Sequence, residues 1–182
     1  MFSNIKLKDV IKKVIDNRGR NPEKYFDIEK YPVIDNVLIK NTYYPNIKDA
    51  NRFLDENTYR TFLRGYVHKN MPIITLVWSW IGNVTLCPSD DVAIVQNTIW
   101  FDVDKEKIDE RFLYYWFLDN QQLIVKLNRW SGQPSIRKTD ILDLDLKLPE
   151  LSYQKKVVSL LSRLDLKIEL NNQINHNLSY VT

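Results

Sequence analysis

Cysteine is nearly absent: the chain has 182 residues and one thiol, Cys87. A lone cysteine excludes an internal disulfide framework and a cysteine-rich metal centre. Histidine is almost as scarce. His68 and His176 lie far apart, so a metal site built on them would need carboxylates from distant segments, and no metal site is expected. Glycine is low, at four residues. None falls in a GxxxxGK or GxGxxG phosphate-binding loop, and no GxSxG nucleophile elbow occurs. The N-terminal MFSNIKLKDVIKK contains no apolar run of signal-peptide type. The longest apolar run, MPIITLVWSWIG, is too short to span a bilayer. These absences point to the reducing cytoplasm and leave no catalytic motif in view.

What is present suits one globular domain with an appendage. The chain is 44% hydrophobic and 12% aromatic, enough to bury a core. A net charge of +3 permits a nucleic-acid partner without requiring one. Residues 5–15, IKLKDVIKKVI, place Val10, Ile11, Val14 and Ile15 at helical spacing and predict a short amphipathic helix. DNRGRNP then breaks the chain. YPVIDNVLIK predicts a strand, and LDENTYRTFLRG a helix ending at Gly65. MPIITLVWSWIGNVTLCP reads as two strands punctuated by IGN, and DVAIVQNTIWFDVD as a strand pair or a bent strand. IDERFLYYWFLDNQQLIVKL predicts one helix of about five turns. RKTDILDL then gives a short helix and DLKL a strand ending at Pro149. Strands and helices without strict βαβ alternation predict an α+β fold.

Charge distribution says more than net charge. No acidic residue occurs from Asn57 to Ser89, a stretch holding Arg60, Arg64, His68 and Lys69 with Tyr59, Tyr66, Trp78 and Trp80. None occurs from Asn120 to Thr139 either, where Lys126, Arg129, Trp130, Gln133, Ser135, Arg137 and Lys138 lie. Acid-free stretches bearing Lys, Arg, aromatics and amides suit a phosphate-facing surface. Part of 57–89 is a buried strand, which would lack acids anyway. The NRGRNP turn adds Arg18 and Arg20. The candidate DNA contacts are therefore Arg18, Arg20, Arg64, Arg129, Trp130, Gln133, Ser135, Arg137 and Lys138. Arg137 and Lys138 are expected at phosphate, partly at the start of the short helix they open. Gln133 or Arg129 is expected at a base edge.

The last segment has a different period. Val157, Leu161, Leu164, Ile168, Asn171, Asn175 and Leu178 step by alternating fours and threes, which is heptad spacing. Leu170, Ile174 and Val181 widen the stripe, and Gly and Pro are absent from 151–181. The expectation is a recognition domain over 1–148 and a coiled-coil or dimerisation helix over 149–182. The alternative is an amphipathic helix lying back on the domain.

The segment WSGQPSIRKTDILDLDLKLPELSYQKKVVSLLSRLDLKIELNNQINHNL resembles the end of a target-recognition domain running into the long helix of a type I restriction–modification specificity subunit. The matching positions are Gly132, Gln133, Ile136, Ile141, Pro149, Gln154, Leu164, Asp165, Lys167, Ile168, Glu169, Leu170, Asn171, Ile174, Asn175 and Leu178. Upstream, NRGRNP, IGNVTL, AIVQNTIWF and FLYYWFL fall in the order that family uses. Tyr153 stands where the family usually has Glu, and Glu150 where it often has a second Pro. Such subunits typically carry two recognition domains and two long helices; this chain has one of each and resembles half a subunit. The resemblance implies a non-catalytic reader of one half of a split duplex target. Its helix would act as a ruler, paired with a second copy in a homodimer or with a second specificity half. Methyltransferase and restriction subunits would dock on it and use S-adenosylmethionine, ATP and Mg²⁺, with no cofactor in this chain. Two other readings stay open. One is an interaction protein that pairs through 151–182 without touching DNA. The other is a small metal-dependent nuclease using Asp145 and Lys147.

Overall fold

A computed structural model describes residues 2–178 except 21, 29, 78–79, 95 and 129–133, with the backbone alone at 176–178. The described residues form three sheets, five helices and two short 3-10 turns. The chain is α+β, as its mixture of periods predicts.

The first departure from the sequence reading is at the start. Residues 5–15 are not a helix: β1 (Phe2–Lys6) and β2 (Ile11–Ile15) flank a 3-10 turn at Leu7–Val10. β1 pairs antiparallel with β9 (Asp145–Pro149), and β2 with β8 (Thr98–Val103). Leu7 and Val10 in the turn between them are fully buried. Cross-strand partners and β-branched residues override a helical spacing that is only one segment long.

β5 (Pro72–Thr75) and β6 (Val84–Leu86) are the strands expected on either side of IGN, and they pair antiparallel. Gly82 in their connection has φ +83°, and a Cβ there would lie 3.1 Å from Val125 Cγ2, so glycine answers both conformation and space. These strands complete a four-stranded sheet in the order β2–β8–β5–β6. A three-stranded sheet places β3 (Tyr31–Ile34) between β4 (Phe53–Leu54) and β7 (Ala93–Ile94). The DVAIVQNTIWFDVD segment is thus not a hairpin, because β7 and β8 enter different sheets. Asn97 between them has φ +65°.

α1 (Glu56–Phe62) is capped by Asp55, whose side chain accepts from the Thr58 amide at 2.7 Å. The expected five-turn helix is two helices, α2 (Glu110–Asp119) and α3 (Gln121–Val125). Asn120 separates them: its amide and its side-chain nitrogen both donate to Trp116 O, which ends the first helix. α2 buries Leu113, Tyr114 and Phe117 against the core that holds Leu7, Phe101 and Ile141. α4 (Lys138–Leu142) inserts Ile141 into the same core.

α5 (Leu151–Leu178) spans 28 residues, about 42 Å at 1.5 Å per residue. Its start is fastened by Gln154, which is fully buried. Gln154 Oε1 accepts from the Asp109 amide at 2.9 Å, and Nε2 donates to Lys107 O at 2.9 Å and Pro149 O at 2.8 Å. One side chain therefore ties α5 to the entry of α2 and the end of β9. Further along, Val158 and Ser162 are buried, and Tyr115 on α2 donates to Asp165 Oδ2 at 2.6 Å.

Candidate nucleic-acid interface

Four of the expected cationic residues converge, although they come from three separate segments. β2 ends at Ile15, and Asp16 follows it. Arg18 binds the Asp16 carboxylate at two points, Nε to Oδ1 at 2.8 Å and Nη2 to Oδ2 at 2.7 Å. Lys138, on the first turn of α4, lies 3.8 Å from the same Oδ2. Arg64 Nη1 donates to Arg18 O at 3.3 Å. Arg20 Nη1 donates to Phe62 O, and its guanidinium lies 5.7 Å from the Phe62 ring centre. Two of these cations, Arg18 and Lys138, meet the Asp16 carboxylate, and Arg64 and Arg20 are held beside that pair through the Arg18 and Phe62 carbonyls. Burial pushes the Asp16 carboxyl up, but the Arg18 hydrogen bonds and charge, with the Lys138 charge, outweigh it and hold it below the usual range. Asp16 therefore stays ionised through neutral pH. Its contribution is complete above the ordinary carboxylate range and is lost as pH falls from that range through the lowered value.

Asn17 organises this cluster, and sequence reasoning did not single it out. It is 1% exposed. Its Oδ1 accepts from the Arg64 amide at 2.9 Å, and its Nδ2 donates to Ile94 O at 2.9 Å and Gly65 O at 3.4 Å. Gly19, at φ +75°, lets the chain turn so that the Arg20 amide reaches Asn17 O at 3.0 Å. The side chain thereby clamps the Arg18–Arg20 turn to the Arg64 loop. Only a polar residue inside a turn hinted at it. Asn17→Ala strips partners from two buried carbonyls and the part-buried Arg64 amide, at roughly 1–3 kcal/mol for each buried group left unsatisfied. The expected outcome is a melting point lower by several degrees, with amide protection lost first at Arg64 in hydrogen exchange.

The remaining candidates divide. Ser135 bridges Val77, and its amide donates to Asn128 Oδ1 at 2.9 Å. The Ile136 amide donates to Leu76 O, so 135–136 is laid along the end of β5. Arg137 is exposed at the N-cap of α4 and makes no side-chain cap bond. Arg129 and Gln133, one of which is expected at a base edge, lie outside the described residues with Trp130, as does the side chain of Leu178.

The helix candidates also divide. At roughly 100° per residue, Gln154, Val158, Ser162 and Asp165 fall on the docked side. Val157 and Leu161 are half-buried beside them. Leu160, Leu164, Ile168, Leu170 and Ile174 are about half or more exposed, and Asn171 and Asn175 are exposed with them. The expected seam thus begins on the chain's own domain and leaves it by Leu164. The first turns lie back on the domain, as the amphipathic alternative expects, and the later ones carry an exposed apolar stripe.

A family model described as "Type I restriction modification DNA specificity domain" matches residues 2–180. The chain belongs to this family.

Solved structures agree in fold. The S subunit of a type I restriction–modification system from M. genitalium aligns with a TM-score of 0.65 at 16% identity, over 93% of this chain and 40% of that one. A structure described as the basis of complex assembly and conformational transition of the type I R-M system gives 0.70 at 12%, over 97% and 41%. The HsdS subunit from Thermoanaerobacter tengcongensis gives 0.65 at 11%, over 95% and 39%. The specificity domain described here spans about 40% of the length of these chains.

Within this specificity domain, Asp145 and Lys147 share the outer face of β9. They line an open cleft of about 690 Å³ with Asn4, Trp116, Asp119 and Asn120. The Asp145 side chain is 86% exposed and pairs with Lys6 at 2.6 Å. It belongs to no trio of His, Cys, Asp or Glu groups close enough to share an ion among the described residues. An exposed carboxylate already neutralised by a lysine is a surface ion pair, which counts against the nuclease reading.

Proposed function

We propose that this chain reads one half of a two-part DNA target for a type I restriction–modification complex and performs no chemistry itself. The observation that carries the reading is the convergence of three segments: Arg18 and Lys138 meet at Asp16, Arg64 binds the Arg18 carbonyl and Arg20 the Phe62 carbonyl, with Arg137 exposed beside Lys138 in the chain. Such a cluster supplies phosphate contacts that fix register. The 129–133 segment, immediately before it in the chain, supplies base contacts through Arg129, Trp130 and Gln133. Arg18, held at two points by Asp16, is the least free of the four and acts mainly by shaping the turn.

The bare stripe of α5 is the pairing surface. A second copy, or a second specificity half, covers Leu164, Ile168 and Ile174, and the exposed Asn171 and Asn175 fix register at some cost in stability. A symmetric pair would place two identical readers on a palindromic split site. Methyltransferase and restriction subunits dock on this scaffold and supply S-adenosylmethionine, ATP and Mg²⁺ chemistry. No helix among the described residues is long and apolar enough to cross a membrane, which fits work on cytoplasmic DNA.

Leu164 is 53% exposed, so Leu164→Asp leaves the domain core intact. The expected result in light scattering is half the wild-type mass with an unchanged circular dichroism spectrum. An unchanged mass would remove the pairing role of this face. For DNA reading, fluorescence anisotropy of a duplex with the methyltransferase complex should give an affinity that falls steeply with salt. Binding indifferent to salt, or absent from a stable complex, would favour an interaction protein without DNA contact.

A further inference from the structure

The sequence offers no metal site because its histidines are isolated. The fold changes that position for one of them. His68 sits in the turn before β5, closed by the Met71 amide donating to His68 O at 3.1 Å. Asp102 lies on β8, and Glu110 opens α2. One ligand atom from each of these three residues lies within 4.8 Å of the other two. A His68 ring nitrogen is in hydrogen-bond contact with Glu110 Oε1. The Glu110 side chain is only 10% exposed.

We infer that His68, Asp102 and Glu110 form a site for a divalent first-row transition ion, with Zn²⁺ as the best match. The donor set is one imidazole and two carboxylates, which are ligand types such ions take. The donors come from a strand, a helix and a closed turn, so they are fixed before any ion arrives. A cation already answers them: Lys105 Nζ lies 3.3 Å from Glu110 Oε2 and 3.2 Å from His68 Nε2. Its side chain is 59% exposed, so the ammonium can swing into water, still protonated, as the ion takes its place. The proton shared between His68 Nε2 and Glu110 is released to water, the Nε2 lone pair then binds the ion, and water fills the remaining positions. The bound ion would staple the 67–71 turn to β8 and α2. This inference is independent of DNA reading, since no residue of the cationic cluster takes part.

The test uses untagged full-length chain and Zn²⁺ alone, followed by calorimetry and thermal melting. One ion per chain is expected. At about a hundredfold excess over Kd the melting point should rise by roughly 5–10 °C. His68→Ala and Asp102→Asn should each weaken binding at least tenfold. Lys105→Met removes the competing ammonium and should tighten it, in a protein whose fold is unaltered. Glu110→Gln is the less useful variant, because its burial endangers folding. Absence of saturable binding would overturn the site, as would equal affinity in His68→Ala. Binding lost in Cys87→Ser but kept in His68→Ala would place the ion on the buried thiol and overturn it equally.

Discussion

Replacing Arg64 and Lys138 together by alanine should weaken duplex binding about 100-fold at physiological salt. The two residues come from different segments, but both reach the Asp16–Arg18 pair, Lys138 at 3.8 Å from Asp16 and Arg64 at 3.3 Å from the Arg18 carbonyl. Both are exposed, so neither deletion opens the core. A hydrogen bond to a charged group contributes about 1.5–3 kcal/mol, and a loss of roughly 1.4 kcal/mol at each of two contacts is already a factor of about 100. The salt slope should fall by about 0.9 for each phosphate contact removed. Sequence preference should stay the same, because phosphate contacts position the protein and base contacts specify. A changed preference would show that one of these side chains reads a base. Unchanged affinity would place the DNA on another face.

Gln154→Ala should be the most destabilising single change outside the aliphatic core. The side chain is fully buried and meets three backbone groups, the Asp109 amide and the Lys107 and Pro149 carbonyls. Alanine leaves all three without a partner. At roughly 1–3 kcal/mol for a buried group left unsatisfied, a total of about 3 kcal/mol is expected, partly relieved by water. The melting point should fall by about 6–12 °C. Because Gln154 fastens α5 to α2 and β9, hydrogen exchange should quicken first over residues 151–162. A variant that melts like the wild type would mean that Val158, Ser162 and the Tyr115–Asp165 bond hold the helix without it.

The helix was the most legible part of the sequence. Its period runs unbroken from Val157 to Leu178, and a long period is hard to imitate by chance. Short segments carried less. Val10, Ile11, Val14 and Ile15 satisfied a helical spacing yet lie in or beside a strand, because β8 offers them partners about ninety residues away. The break at Asn120 depends on a side chain folding back to Trp116 O, which no hydrophobic pattern reports. The cationic residues were legible by type and not by position. Arg18, Arg64 and Lys138 were read as three separate features, and only the fold brings Lys138 to the Asp16–Arg18 pair and Arg64 to the Arg18 carbonyl. Asn17 and the His68–Asp102–Glu110 trio could not be found from pattern, since each depends on groups that meet across sheets and loops. Gln154 was visible through the family resemblance, and its role became physical once its three partners were placed.

The measurement that bears most directly on DNA reading is a methylation map. This chain would be expressed with the methyltransferase subunit of its own system in a host lacking both, and the genome scanned for new methylated motifs. A split motif is expected that vanishes without this chain and in the Arg64→Ala, Lys138→Ala variant. It should be palindromic if α5 pairs two copies and asymmetric if another specificity half is supplied. No new motif from a stable complex would contradict the account and leave α5 as a pairing helix on a domain that reads nothing.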